Sequence, residues 1–390
     1  DNDYYPPDNE NNDQGRTSSL LIMNYLKNSA NTTVTAASNP STNAWDIVDD
    51  FKQYLDGFVV YSDYNGWWQR DITNTACGIL NCIPVTADLV AEAQSHGLSQ
   101  KEDFSQSYWY GEFISNYLQR INPLIFLELD QFKANGPRDY AAMTNCMVFY
   151  AHGNATLRYE IMNTINTANV VPVFGWDDKD ANPDIAEYNI VNSVSITGNF
   201  VVASDQSMNL STLASSGSAV KQFTYSAPPA PTYDSNKVYV AYIMSDGDNL
   251  QLMTNHMNTK VWFGSPYRGE FPVGWTMPAA MYYLEPDVWN MYIEKSEPTD
   301  EFLLGPSTIG YCMGKVITNS GDFAIQLDYL DKFLNLTGIR TMMVFGDHVK
   351  QPHDWENYTY LDGILNCANL DGIFYKAYDD NSDVCGKFVE

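Results

Sequence analysis

Two hydrophobic patterns alternate along the chain from about residue 16 onward. Short apolar runs predict strands at 58–61, 82–85 and 124–129, then at 147–150, 170–174, 200–203, 238–244, 275–277, 302–304, 341–345 and 372–375. Between them, apolar residues spaced three and four apart predict helices. One covers 87–96, with Gly97 as its stop, and others cover 157–165 and 287–295. Another covers 108–121, where Tyr110, Phe113, Ile114, Tyr117, Leu118 and Ile121 share a face and Pro123 ends the pattern. The last covers 323–334, with Phe323, Leu327, Leu330 and Leu334 on one side.

Strands alternating with helices predict an α/β fold with parallel sheets. The last eight strands suit a (β/α) barrel, although an open doubly wound sheet with a second domain has the same alternation. The expected organisation is therefore a polar tail over 1–15, a smaller N-terminal α/β domain over 16–140, and a (β/α) barrel-like C-terminal region over 141–390. The Pro-rich segment 227–233 is a long loop or a boundary within it.

The run Val238-Tyr-Val-Ala-Tyr-Ile-Met244 is nearly continuous in apolar residues, as in a strand buried on both faces. It leads into Ser245-Asp-Gly-Asp-Asn249, so Asp246 and Asp248 are expected at the C-terminal tip of a strand, where α/β folds place their chemistry. The same reading puts Asp177 and Asp178 beside Trp176, Asp205, and Asp347 with His348 at other strand ends. Glu285, Asp300 and Glu301 fall in the stretch 275–304. Carboxylates on a rim with aromatic rings suit sugar chemistry: one acid protonates the leaving oxygen, and a second attacks or activates water. Asp246, Asp248 and Asp300 are the candidate catalytic acids, and Trp275, Tyr311 and Trp176 the candidate sugar-stacking rings. Asp178, Asp180, Asn182 and Asp184 alternate like the start of a calcium loop, but Pro183 stands where such loops need Gly, and a solvated acidic loop is the plainer reading. No zinc spacing, phosphate loop, dinucleotide fingerprint or G-x-S-x-G elbow occurs, and no cofactor is expected.

Composition narrows the partners. A net charge of −27 argues against nucleic acid and anionic membrane surfaces, and no apolar run is long enough to span a bilayer. The chain opens at Asp1 without Met or an apolar leader, as expected of a mature secreted protein. Six cysteines (Cys77, Cys82, Cys146, Cys312, Cys367 and Cys385) permit three disulfides, with Cys77–Cys82 and Cys367–Cys385 suggested by proximity alone. Sequons at Asn31, Asn154, Asn209, Asn335 and Asn357 point to the same glycosylating, oxidising route. The tail DNDYYPPDNENNDQG is too polar to fold alone. It is expected to lie on another surface, either a second copy of the chain or its own domain.

Several of these residues also carry a resemblance. Ser245-Asp-Gly-Asp-Asn249, Pro272-Val-Gly-Trp-Thr-Met-Pro278, and Thr299-Asp300 leading into Gly305-Pro-Ser-Thr-Ile-Gly-Tyr311 resemble the C-terminal domain of the GxGYxYP family, whose members are described as glycoside-hydrolase-like. Gly57-Phe-Val-Val-Tyr61, Ile83-Pro-Val85, Val201-Val-Ala-Ser-Asp205 and Asn209-Leu-Ser211 resemble its N-terminal domains in the same order. The motif that names the family departs from its pattern here. Thr308 replaces the first Gly, Met313 the second Tyr and Gly314 the Pro, while Gly310 and Tyr311 remain. The resemblance implies a hydrolase scaffold, and the departures imply altered or lost catalysis. The leading expectation is a secreted glycoprotein with a self-associating structural or adhesive role, self-association running through the tail. An active glycoside hydrolase and a non-catalytic carbohydrate-binding protein are the alternatives, and carbohydrate is the expected partner of both.

Overall fold

The computed structural model describes residues 43–62, 68–106, 109–133, 136–166, 170–177, 186–224, 232, 234–245, 247, 249–345 and 359–376. The chain divides into two compact units. The N-terminal unit holds 43–194 together with 204–211, and the C-terminal unit holds 195–203 and the described residues from 212 onward. No described helix is long and apolar enough to cross a membrane.

The N-terminal unit runs α1 (Ala44–Phe51), β1 (Gly57–Tyr61), α2 (Trp68–Leu80), β2 (Cys82–Thr86), α3 (Val90–Ser95), β3 (Gln100–Asp103), α4 (Tyr110–Tyr117), β4 (Asn122–Leu129), α5 (Arg138–Thr144), β5 (Cys146–Phe149), α6 (Ala155–Ile165), β6 (Pro172–Trp176) and α7 (Ala186–Ile196), whose last turn passes into the other unit. β1 lies between β2 and β3, parallel to both. Its Phe58 and Val60 pack with Val85, Ala93 and Leu98, so a run apolar at every position is buried as a parallel strand should be. A second parallel sheet orders β5-β4-β6. The predicted helix at 108–121 is α4, followed by a 3-10 turn at Leu118–Arg120, with Tyr110, Phe113, Ile114 and Ile121 buried.

The C-terminal unit contains β7 (Phe200–Ala203) and most of α8 (Leu210–Ala214), then β8 (Ile243–Met244), α9 (Leu250–Asn255), β9 (Val273–Pro278), α10 (Met281–Leu284), α11 (Pro286–Glu294), β10 (Asp300–Gly305), α12 (Ser320–Thr337), β11 (Thr341–Phe345), α13 (Thr359–Leu365) and β12 (Gly372–Lys376). β8 to β12 form one parallel sheet in chain order, with β10 at its centre. Asn319 caps α12 by accepting from the Gly321 N–H, and Gly338 ends it in the left-handed conformation.

The fold is thus mixed α/β with parallel sheets, and all eight strands expected after residue 141 exist. They do not close one barrel, because β5 and β6 pair with β4 while β8 to β12 make a sheet of their own. β4 and β5 pair on either side of residues 140 and 141, and α5 runs across that position. The run 238–244 is also a correction. Only Ile243 and Met244 of this run join the sheet, opposite Gly274 and Trp275, with the Tyr242 carbonyl accepting from the Gly274 N–H at 2.8 Å, while Val238, Val240 and the Tyr242 side chain are exposed.

The expected disulfide framework is absent among the described residues. Cys77, Cys82, Cys146, Cys312 and Cys367 are free thiols, and Cys385 lies outside them. These cysteines serve as packing residues on separate elements. Cys77 faces inward from α2, the Cys82 thiol donates to the Leu80 carbonyl at 3.2 Å, and Cys146 lies buried in β5. Burial pushes the Cys146 and Cys312 thiols up to about 12 and about 11.

Candidate active site

Five parallel strands in chain order bring all their C-terminal ends to one edge of the C-terminal unit. Three loops leave this edge from β8, β9 and β10. The first is Ser245-Asp-Gly-Asp-Asn249, ahead of α9. Gly247 lies directly on β9: a Cβ there would stand 2.0 Å from the Thr276 carbonyl oxygen and 3.0 Å from its carbon. Only glycine permits that approach, which gives the motif a physical reason. The Thr276 hydroxyl donates to the Met244 carbonyl at 3.1 Å and ties β8 to β9 at the same point. Asp246 and Asp248, on either side of this glycine in the chain, lie outside the described residues, as do Asp347 and His348.

The second feature of the edge is the segment after β10, the central strand. A cis peptide joins Gly305 to Pro306, and Ser307 follows with φ of 56°. The Ser307 N–H donates to the Met343 carbonyl at 2.9 Å. The Thr308 hydroxyl donates to Gln326 Oε1 at 2.5 Å, and Gln326 Nε2 donates to the Gly198 carbonyl at 2.8 Å. At Gly310 a Cβ would come within 2.8 Å of the Val201 carbonyl oxygen and 2.6 Å of the Phe200 ring. Tyr311 exchanges two backbone hydrogen bonds with Val201, of 2.8 and 2.9 Å, and stacks on Phe345. Met313 is buried and donates its N–H to the Ser195 hydroxyl. Gly314 faces the Tyr360 ring. The family-naming segment is therefore a pinned, inward-facing strap in which Thr308 and Met313 are packed.

The other predicted residues distribute differently. Asp300 opens β10 and so lies at the opposite end of the sheet, about 17 Å along the strand from the C-terminal edge. It accepts from the Trp275 indole N–H at 2.9 Å and from the Glu297 N–H at 2.8 Å, with Arg268 Nε at 3.6 Å. The structure brings Asp300 and Trp275 together as a buried pair, with Asp300 at the start of β10 and Trp275 in mid-β9, opposite Met244. Trp275 and Tyr311 are core residues with their faces packed on neighbours, which leaves no face for a sugar. Trp176 ends β6 in the N-terminal unit and is half-buried. The alternating acids 178–184 lie outside the described residues, and among those described no His, Cys, Asp or Glu cluster could hold a metal ion.

Glu285, at the N-terminus of α11, is the most deeply buried of the described acids of the C-terminal unit, ahead of Asp287 and Asp300. Its Oε2 accepts from the Thr254 hydroxyl at 2.5 Å, and its Oε1 has no hydrogen-bond partner. Burial pushes its carboxyl up to about 8, opposed only by the Thr254 hydrogen bond.

The N-terminal unit holds a network that the sequence did not disclose. Glu128, near the end of β4, accepts two hydrogen bonds from Arg158 of α6, of 2.6 and 2.7 Å, and one from the Ala151 N–H. Arg158 also donates to Asp177 at 2.8 Å and to the Ser193 hydroxyl at 2.6 Å. Glu128, Arg158 and Asp177 are all buried. Burial and the neighbouring Asp177 push Glu128 up, and the Arg158 fork opposes them. Asp71 of α2 accepts from the Tyr110 hydroxyl at 2.7 Å, and that oxygen accepts from the Tyr150 N–H at 3.0 Å. Burial pushes Asp71 up to about 7 against Arg138 and this hydrogen bond. The available signals were an acid inside the apolar run 124–129 and an arginine on the apolar face of α6. Asp205 pairs with Lys133.

Two family profiles match parts of the chain. The profile described as "GxGYxYP putative glycoside hydrolase C-terminal domain" matches residues 236–388, and that of the "GxGYxYP third domain" matches 123–215. The second match takes in Val201–Asp205 and Asn209–Ser211, while Gly57–Tyr61 and Ile83–Val85 lie outside both. No curated protein sequence matches the chain. A crystal structure described as that of "a putative hydrolase from Bacteroides thetaiotaomicron VPI-5482" superposes with a TM-score of 0.78 at 23% identity, over 93% of this chain and 68% of that one. That likeness establishes a shared fold.

Proposed function

Since the chain resembles the GxGYxYP family across its third and C-terminal domains, we propose that it is an extracellular, N-glycosylated protein on a glycoside-hydrolase-like scaffold, with hydrolysis altered or lost and carbohydrate recognition retained at the C-terminal edge of the β8–β12 sheet. The supporting observation is the segment 308–314. Thr308 spends its hydroxyl on Gln326, Met313 is buried where the family pattern has a tyrosine, and Gly314 meets Tyr360 where the pattern has a proline. A methionine there cannot supply a phenolic hydrogen bond. The described sequons Asn154, Asn209 and Asn335 are all exposed, which leaves them open to glycan. The sequential winding of β8 to β12 is that of part of a (β/α) barrel. Self-association through residues 1–15 belongs to this reading, and a chain lacking residues 1–15 should then sediment as a smaller species than the full chain.

A second reading has one observation in its favour. The Gly247 backbone is seated on β9 at the edge where catalytic acids belong, as for a hydrolase working with Asp246 and Asp248. One screen separates the two. The full chain is incubated with a panel of oligosaccharides and reducing-sugar release is measured beside Asp246→Asn and Asp248→Asn. The proposal expects binding without turnover. Turnover that either substitution reduces by about 100-fold or more would overturn it in favour of the hydrolase.

A further inference from the structure

The C-terminal unit leaves apolar side chains uncovered beside β8, the edge strand of its sheet. Just ahead of β8, Val238, Val240 and Tyr242 are 90%, 67% and 62% exposed. The Tyr242 ring meets Phe271 edge to face at 5.5 Å, and Phe271 is itself 50% exposed. Tyr267 is 68% exposed, in the turn that leads to Phe271, where its carbonyl accepts from the Glu270 N–H. Adjoining apolar side chains this open to water mark a docking surface.

Charge narrows the occupant. The chain carries 48 acidic residues against 21 basic ones, yet residues 235–245 and 249–269 contain no acid. They contain Lys237, Lys260 and Arg268, with Asp234 and Glu270 at their borders. The N-terminal unit exposes a second apolar stripe on and after α1, Ile47, Phe51 and Tyr54, but it lies among the exposed Asp46, Asp49, Asp50 and Asp56. An acidic segment is repelled from that stripe and accepted beside β8. Residues 1–15 are such a segment, with Asp1, Asp3, Asp8, Glu10 and Asp13 and no Lys or Arg. Between Asp3 and Asp8 stand Tyr4, Tyr5, Pro6 and Pro7, and proline-containing segments dock on aromatic-lined surfaces.

We propose that the β8 edge, with Val240, Tyr242, Tyr267 and Phe271 at its centre, is the receptor for residues 1–15 of a second copy of the chain. Each copy then offers a tail and receives one, so the contact closes as a reciprocal pair or runs on as a ring or filament. This assignment rests on self-association through the tail and gives that tail its place on the molecule.

The test is sedimentation of the full chain beside the chain lacking residues 1–15, Tyr242→Asp, Val240→Asp and Phe51→Asp. All three substituted side chains are exposed, so each variant should unfold at the wild-type urea midpoint. The expected result is assembly of the full chain and of Phe51→Asp, weakened by about tenfold or more in Tyr242→Asp and Val240→Asp and abolished by the truncation. A mixture of Tyr242→Asp with the truncated chain joins an intact tail to an intact receptor and should sediment as a dimer. Wild-type assembly by Tyr242→Asp and Val240→Asp, beside a monomeric truncated chain, would overturn the receptor and leave self-association standing. Loss of assembly in Phe51→Asp would move the receptor to α1 and overturn it too, as would a mixture that stays monomeric. A full chain that is a monomer like the truncated one would sink both.

Discussion

Each unit buries a glutamate completely, and the two are treated in opposite ways. Glu128 in the N-terminal unit receives both arms of Arg158 and a backbone N–H, and Arg158 is shared with Asp177. Glu285 in the C-terminal unit receives one threonine hydroxyl and leaves an oxygen without a partner. Removing a carboxylate from water is costly unless a counter-charge and hydrogen bonds replace the water. Glu128 meets that condition and braces β4 to α6. Glu285 does not, so it is held as a neutral acid at ordinary pH. A saturated network of this kind is architecture. Glu285 and Ser307 each leave a buried oxygen unsatisfied in the C-terminal unit, as Gln69, Thr73 and Ser207 do in the N-terminal unit away from that network.

The largest effect should come from breaking the saturated network. Arg158→Met leaves Glu128 and Asp177 buried beside each other without a cation, and about 4 kcal/mol should be lost in the urea-induced unfolding of the N-terminal unit. Replacing all three together, as Glu128→Gln, Arg158→Met and Asp177→Asn, should recover most of it. If the triple variant is no more stable than the single one, the shape of the side chains matters more than their charge.

Glu285 gives the next largest effect, and its sign follows from linkage. Its unfolded pKa is near the ordinary glutamate value of 4.5 and its folded value is raised by burial to about 8. The folded state therefore binds the extra proton between those values, and stability falls as pH rises from about 4.5 to 8, then levels off. The loss should be on the order of 3 kcal/mol across that window. Glu285→Gln keeps an acceptor for Thr254 and removes the titration, so the difference between the two stability curves should grow from near zero at pH 4 to its full size at pH 8. Parallel curves would mean that Glu285 is ionised in the folded state.

The contrast between the units also shows what could be read from the chain. Strands were legible because every run from 147–150 to 372–375 is apolar and short, and parallel pairing buries such runs. Their lengths and sheet membership were not. Val238 to Tyr242 look like the best strand in the sequence, yet only Ile243 and Met244 join the sheet and contact with β9 ends at the Tyr242 carbonyl, because β9 begins at Val273. Asp300 was placed only within the stretch 275–304, because a pattern of apolar residues does not say that an acid begins a strand, and here the beginning is the far end of the sheet. Trp275 and Tyr311 read equally well as sugar platforms or core, since ring type is blind to what packs against it. The loop Ser245–Asn249 was legible as a candidate because two acids flank a glycine after an apolar run, and Gly247 is the part of it that the structure explains, through its close approach to Thr276. The Glu128–Arg158–Asp177 network was not, because its members are 30 and 19 residues apart and meet only in the fold.

A smaller effect is expected where the C-terminal edge is built by close approach. Gly247→Ala would drive a Cβ into the Thr276 carbonyl oxygen, a backbone atom that cannot rotate away. A cost of about 2 kcal/mol should result, with the Ser245–Asn249 loop displaced from β9. Carbohydrate binding should fall with it, while the N-terminal unit unfolds as before. If Gly247→Ala unfolds like wild type, the loop does not rest on β9 and the edge is not organised around it.

The smallest effect has the opposite sign and completes the comparison. Ser307→Gly removes a side chain from a position with φ of 56° and takes away a buried hydroxyl that nothing pairs. Both changes favour the folded chain, so stability should rise by about 1 kcal/mol, read as a later urea midpoint with an unchanged slope. A deletion in the N-terminal network that also removes a buried hydroxyl, Ser193→Ala, should do the reverse, because Arg158 donates to that oxygen at 2.6 Å. If both serine substitutions destabilise, the two units handle their buried hydroxyls alike, and Ser307 is part of the architecture like the rest.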